Sequence, residues 1–359
     1  GSVQTSSADS LDATFRSRAA GAPAGTYPGG SGQIETASLN GHVVITNVSR
    51  AKHSSNDASG EERATGQKAT YDGRTGHVLL TGGVELKDSQ SDLWADRIAL
   101  NQQTGDASAA GTVKANFQQS ASSEPVHVLA DHADLKKSKD TAIFYGAAHP
   151  ARLWEESSQI EAPVLQFDRA RQRLLARGAA STSGAAVQTV LVSAGEPAQH
   201  RRSAVIRISS REMDYSNEQH TAEFTGGVKV DSADGTMQGN RATAYFSPGQ
   251  EAKQDRAGAR DSSFLQSGVE RVVVNGDIAI RQQGRQAVGD RLVYTASDGV
   301  FVLTGTAQHP PKVMDALRGT ITGKELRLRE QDASVVISTG DTNETGPRVR
   351  TETRVKKEQ

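Results

Sequence analysis

Cysteine is absent from the 359 residues, which excludes disulfides, thiolate metal sites and a cysteine nucleophile. Aromatics make up 4% and apolar residues 35%, against 35 glycines, so large side chains are too few to fill several thick α/β cores. A thin, strand-rich body is expected instead. Charge of one sign is lacking too: 41 Lys and Arg against 42 Asp and Glu leave a net charge of −1, and no basic excess exists to draw nucleic acid. No run approaches the roughly 18 to 20 apolar residues of a membrane-spanning helix. The opening Gly1-Ser2 reads as a cloning remnant, so an upstream signal peptide or membrane anchor is expected to have been removed.

Residues 1–32 are rich in Ser, Ala, Gly and Pro, and residues 343–359 are charged without apolar periodicity. Both read as linker or disordered tail. Ser49–Thr65, Ser181–Ser203 and Ser247–Gly268 share that composition and read as long loops. The segment 181–203 is the expected boundary between two repeat-bearing stretches, 33–180 and 204–342, either separate or continuous.

What is present is a repeat. A six-residue word (small, polar, any, apolar, any, then Leu, Tyr or Phe) begins at Gly66, Ala95, Ala130, Ala162, Ser210, Gly289 and Gly323. An eighth copy at Gly239 is irregular, its aromatic Tyr245 coming one position late. From the small residue to a later glycine the count is 16 in six copies: 66 to 82, 95 to 111, 130 to 146, 162 to 178, 210 to 226 and 289 to 305. Inside each unit an alternating run, a turn such as Asp72-Gly73-Arg74-Thr75-Gly76 and a second alternating run spell a β-hairpin. Val78/Leu80, Ala142/Phe144, Ala222/Phe224, Phe301/Leu303 and Val335/Ile337 fall at one offset and are expected on one face. The recurring glycine reads as a bend where the chain passes from one sheet to the other.

Hairpins with one apolar face must stack to bury it, which predicts an elongated all-β roll of two facing sheets. A parallel β-helix is the competing architecture. Ala69, Ala107, Ala109, Ala133, Ala176 and Ala222 occupy inward offsets, which fits either a thin closed sandwich or an apolar groove for long, thin acyl chains.

The phrases Val78-Leu79-Leu80-Thr81-Gly82-Gly83-Val84-Glu85-Leu86, Leu93-Trp94-Ala95-Asp96-Arg97-Ile98-Ala99-Leu100-Asn101 and Glu223-Phe224-Thr225-Gly226-Gly227-Val228-Lys229-Val230 carry a resemblance. With Val302-Leu303-Thr304-Gly305, they resemble the OstA-like family of lipopolysaccharide-transport proteins, over about Gln33 to Gly340. That family takes in the periplasmic bridge protein LptA, the membrane-anchored LptC and the N-terminal domain of LptD. The resemblance implies a β-jellyroll, open at one seam, whose interior holds lipid A acyl chains and whose edges join to related jellyrolls in the periplasm. It implies no cofactor and no catalysis. The chain departs from a single small bridge protein in having about twice the expected repeat content. The expected apolar wall is Val78, Leu80, Val84, Leu86, Ile98, Leu100, Phe144, Phe224, Val228, Phe301 and Leu303. The competing functions are a scaffolding β-roll without ligand and a β-helical carbohydrate enzyme.

His127, Asp131, His132 and Asp134 supply metal-ligand types. On a regular strand, however, His127 and Asp131 share one face and His132 and Asp134 the other. Asp131 recurs as Asp96 and Asp290, which points to a structural role at a strand start. Trp94, sharing strand parity with Ile98 and Leu100, reads as packing, as does Trp154. Arg201-Arg202 and Lys356-Lys357 are candidates for lipid phosphate contact. Ser334–Ser338 and His42–Thr46 are uncharged, rich in β-branched residues and free of proline, and are expected as pairing edges for head-to-tail assembly with a second copy or a related jellyroll.

Overall fold

The computed structural model describes residues 2–15, 34–49, 61–89, 91–118, 125–155, 158–179, 186–193, 204–233, 235–246, 269–316, 319–329, 335–338 and 350–352. Alternating sequence gives strand through most of them. In chain order these are β1 (Ser2–Ser7), β2 (Ser10–Phe15), β3 (Ile34–Ser49), β4 (Glu61–Asp72), β5 (His77–Lys87), β6 (Ser91–Asn101), β7 (Ala107–Phe117), β8 (Val126–Lys136) and β9 (Thr141–Tyr145). There follow β10 (Ala151–Glu155), β11 (Ser158–Ala162), β12 (Val164–Asp168), β13 (Arg173–Arg177), β14 (Val187–Ser193), β15 (Ala204–Ser210), β16 (Glu212–Ser216), β17 (Thr221–Ser232) and β18 (Gly235–Phe246). The remainder are β19 (Val269–Gln282), β20 (Arg285–Thr295), β21 (Val300–Thr304), β22 (Lys312–Asp315), β23 (Gly319–Thr322), β24 (Glu325–Arg329), β25 (Val335–Ser338) and β26 (Arg350–Glu352). The one helical element described is a single 3-10 turn, Lys137–Lys139.

Consecutive long strands pair antiparallel, as in β4 with β5, β5 with β6 and β17 with β18. The expected hairpins are therefore present, and the parallel β-helix is excluded: a parallel coil stacks each strand on its counterpart one turn away, not on its sequence neighbour.

Each long hairpin is creased at its glycine. β3, β5, β7, β17 and β19 each carry one extra residue, so that pairing shifts register between Asn40 and Val43, Thr81 and Val84, Ala110 and Val113, Thr225 and Val228, and Asn275 and Ile278. The residues inside these bulges have positive φ, as at Gly82 (φ 85) and Gly83 (φ 61), Gly226 (φ 80) and Gly227 (φ 87), and Gly276 (φ 80). Glycine reaches that region without steric cost, which is why it recurs there. The same neighbours stay paired on both sides of the crease, so the glycine folds a continuous sheet and does not hand the strand to a separate one. The step of 16 is thus the distance, around one hairpin, from crease to crease.

Two compact units divide the chain: residues 1–153 with 166–170, and residues 154–165 with 171–359. In the first, an inward ladder crosses Leu11, Leu39, Ala69, Leu80, Ile98, Ala109, Ala133 and Phe144. Beyond the crease a second ladder crosses Ile45, Ala64, Leu86, Leu93, Ala115 and Val128. Phe167 ties the two layers, its ring lying edge-on to Phe144 at 5.8 Å and to Phe117 at 5.1 Å. The second unit repeats the plan with Ala176, Met213, Phe224, Ala242, Val274, Leu292, Leu303 and Leu326 on one side of its crease. On the other side lie Ile160, Thr189, Ile208, Val230, Met237, Ile280, Ala287 and Val313.

Several expected boundaries change. Residues 2–7 and 10–15, expected as linker, are β1 and β2, paired along β3. Short Ser- and Thr-rich runs with apolar alternation at Leu11, Ala13 and Phe15 suffice once an open edge supplies hydrogen bonds. Val187–Ser193, inside the expected boundary loop, is β14, held between β11 and β15. The two compact units part first between Leu153 and Trp154, and residues 166–170 return to the first. Glu61–Thr65 opens β4, and Arg350–Glu352 in the expected tail is β26, paired with β23. Ser247–Gly268 lies outside the described residues.

Candidate functional site: the inner faces of the two units

The fourth and sixth positions of each word point inward, as Ile98 and Leu100, Ala69 and Tyr71, or Leu292 and Tyr294 do. The small first position sits at the crease, where the layers approach. A Cβ on Gly239 would press on the Val274 side chain, and one on Gly289 on Leu303. The Gly239 copy is regular after all: Ala244 takes the inward sixth position, and Tyr245 faces outward beneath the Arg271 guanidinium at 5.8 Å.

The structure places the expected wall residues inside. In the first unit Val78, Leu80, Val84, Ile98 and Phe144 are buried, and Leu86 and Leu100 half-buried. In the second, Phe224, Val228 and Leu303 are buried and Phe301 is half-buried against Tyr294. Leu80 is 1% exposed, and Ile98, Ala109 and Ala133 are 0% exposed, so the chain's own side chains fill the space between the layers. Leu11 and Phe15 on β2 stand 61% and 59% exposed because their ladders end there. A cleft of about 540 Å³ opens at this end, lined by Asp12, Ala13, Thr14, Thr36, Ala37, Ser38, Thr70 and Tyr71.

The polar second position of the word has a role that the sequence pointed to but misplaced. Asp131 and Asp290 lie in mid-strand, at the crease, and not at strand starts. The Asp131 carboxylate accepts the N–H groups of Ala147 at 2.6 Å and Ala148 at 3.0 Å, and Asp290 accepts that of Thr306 at 3.0 Å. These backbone donors hold the Asp131 carboxyl below its ordinary value, with His149 adding a smaller pull. In both units the capped loop, beginning at Gly146 or Gly305, replaces the glycine bulge of the other repeats.

Strand parity also changes at the crease. On β6 the buried residues are Leu93 and Ala95, then Ile98, so Trp94 does not share a face with Ile98 and Leu100 as expected. On β8 they are Val126 and Val128, then Ala133, which puts His127 and His132 on the same outer side. They have separate partners: His127 Nδ1 lies 2.7 Å from Asn116 Oδ1, and His132 Nε2 lies 3.1 Å from Asp134 Oδ1. Among the described residues no three His, Cys, Asp or Glu side chains are grouped to hold a metal ion. Arg201-Arg202 and Lys356-Lys357 lie outside the described residues. His42–Thr46 is not an edge, because β1 pairs along it on one side and β4 on the other; the outer strands at this end are β1 and β2.

Sequence reasoning missed one group of inward residues, the buried polar side chains Glu155, Ser158, Thr189 and Ser210. The signal was there in the alternation Val187, Thr189, Leu191, which a composition-based loop assignment hides.

Comparison with known proteins follows the same lines. No curated protein sequence matches significantly. Among solved structures the chain is similar to LptH, described as the LptA-homologous periplasmic component of the lipopolysaccharide transport device from Pseudomonas aeruginosa. Identity there is 15% and the TM-score 0.31, with 34% of this chain and 85% of that one covered. The sequence pattern described as LptA/(LptD N-terminal domain) LPS transport protein matches residues 63–173 and 207–334, more than half of the chain. The chain belongs to the LptA/LptD N-terminal domain family of lipopolysaccharide transport proteins.

Proposed function

We propose that this protein binds lipopolysaccharide, or an amphiphile of the same kind, in the periplasm and passes it toward the outer membrane, with acyl chains lying between the two layers of each unit. The observation that supports this most is the unbroken run of apolar ladder positions on both sides of the crease, within a family described by lipopolysaccharide transport. Val78, Leu80, Val84, Leu86, Ile98, Leu100 and Phe144 in the first unit, and Phe224, Val228, Phe301 and Leu303 in the second, act in this reading as apolar wall and do no chemistry. The reading carries no catalytic step and no cofactor. A photoreactive amino acid in place of Leu80 or Phe224 should crosslink to labelled lipopolysaccharide, while one in place of outward-facing Leu79 should not. Absence of crosslinks from both inward sites in a folded protein would favour the scaffolding reading, which the filled interior also suits.

Partner binding by strand addition belongs to the same proposal. β14 pairs with β11 on one side and receives β15 on the other. Near the C-terminus β26 pairs with β23 in the relation that β14 has to β11, and β25 pairs with β24. A strand arriving as β15 does is the partner such an edge suits, supplied by a second copy or another jellyroll. Lysines at Leu11 and Val336 should abolish concentration-dependent assembly in sedimentation velocity and leave the far-ultraviolet spectrum unchanged. Assembly that persists unchanged in this double variant would refute the edge reading.

A further inference from the structure

Among the described residues the buried polar or charged side chains are Glu155, Ser158, Thr189 and Ser210. All four residues belong to the second unit. The register gathers three of them. Thr189 stands across from Ile160 on β11 and Ile208 on β15. Ser158 lies two residues before Ile160, and Ser210 two residues after Ile208, so three hydroxyl-bearing residues cross three neighbouring strands on the inward parity.

Their hydrogen bonding differs. Ser158 Oγ accepts the Val192 N–H at 3.3 Å, and Ser210 Oγ donates to the Glu212 carbonyl at 3.0 Å. Thr189 Oγ1 has no hydrogen-bond partner among the described residues, although Thr189 is only 2% exposed. A buried hydroxyl left unpaired costs about 1–3 kcal/mol, and valine would fill the same space without that cost. Threonine here suits a site that meets a polar group in another state.

We infer that β11, β14 and β15, around Thr189, form a polar station within the interior of the second unit, which takes an acyl chain bearing a hydroxyl group in preference to a plain one. The inference rests on the proposed acyl-binding function and adds a selectivity to it. The ligand hydroxyl accepts a hydrogen bond from Thr189 Oγ1–H, whereas a plain chain leaves that buried hydroxyl facing methylene. A site built to hydrogen-bond a hydroxyl rejects the analogue that lacks it more strongly than an apolar pocket rejects an added one.

The test uses the full chain loaded with a fluorescent fatty acid, dansyl-undecanoic acid, displaced by tetradecanoic acid or by a series of hydroxytetradecanoic acids with the hydroxyl at successive positions. At least one hydroxy acid should displace the probe at a concentration roughly five- to tenfold lower than the plain acid does. In Thr189→Val that preference should fall below about twofold, with the plain acid binding as well as before or better. Equal displacement by all acids in the parent protein, or an undiminished preference in Thr189→Val, overturns the station and leaves acyl binding intact. Failure of the probe to bind the folded parent protein at all overturns both.

Discussion

Asp131 shows how a single side chain can fix a corner of this fold. Its carboxylate collects two backbone N–H groups from the loop that follows β9, and those donors depress its pKa in the folded state. A carboxyl depressed on folding contributes stability that is present above its ordinary value of 3.8 and is lost as pH falls through the folded value. Thermal melts at pH 7 and pH 2 should therefore show a smaller drop for Asp131→Asn than for the parent protein, because the variant has no proton to take up there. An identical drop would remove Asp131 from the acid response. The sequence marked this position, since Asp recurs at the second place of the word, yet placed it at a strand start. The reason is local: the crease changes the strand's parity, and a fixed period of two carried through it assigns the wrong face across it, as for Trp94 against Ile98 and His127 against His132.

At the scale of the element, the hairpins were legible because turn residues and alternation agree over 11 or 12 residues, as in β5 and β17. β1, β2 and β14 were hidden because their sequences, SVQTSS, SLDATF and VQTVLVS, sit in Ser- and Gly-rich surroundings, and an existing edge makes them strands more than their own propensity does. The inward set, by contrast, could be read from offsets alone, and substitutions should separate the two faces of β5. Leu80→Ala is expected to cost about 2–5 kcal/mol by urea denaturation, because it leaves a cavity in the ladder between Ala69 and Ile98. Leu79→Ala, at a position 40% exposed, should stay within about 1 kcal/mol. At the crease, Gly82→Ala meets both a left-handed backbone and the Gln67 side chain, whereas Gly83→Ala meets open space and bears the backbone cost alone. Gly82→Ala should be the more destabilising of the two. A reversed order would mean that the crease relaxes around Gln67.

For the molecule as a whole, the filled interior constrains how a ligand bound as proposed would enter. Leu80, Ile98, Ala109 and Ala133 are screened almost completely, so under the proposed function an acyl chain would reach them in the first unit only when the layers part. Binding that must await such an opening saturates in rate as ligand concentration rises, since the opening step becomes limiting. Phe167 is the ring that spans the two layers, touching Phe144 on one side and Phe117 on the other, and each edge-to-face contact contributes about 0.5–1.5 kcal/mol beyond area burial. Removing both contacts in Phe167→Ala lowers the cost of opening by about 1–3 kcal/mol, which corresponds to an opening roughly 5- to 150-fold more frequent. Stopped-flow fluorescence with dansyl-undecanoic acid should then show a hyperbolic rate profile for the parent protein and a raised plateau for Phe167→Ala. The variant should also unfold at lower urea, which separates easier opening from a tighter site. A rate that climbs linearly with ligand in the parent protein, or a plateau that Phe167→Ala leaves unmoved, would mean that chains enter by a route that does not part these layers.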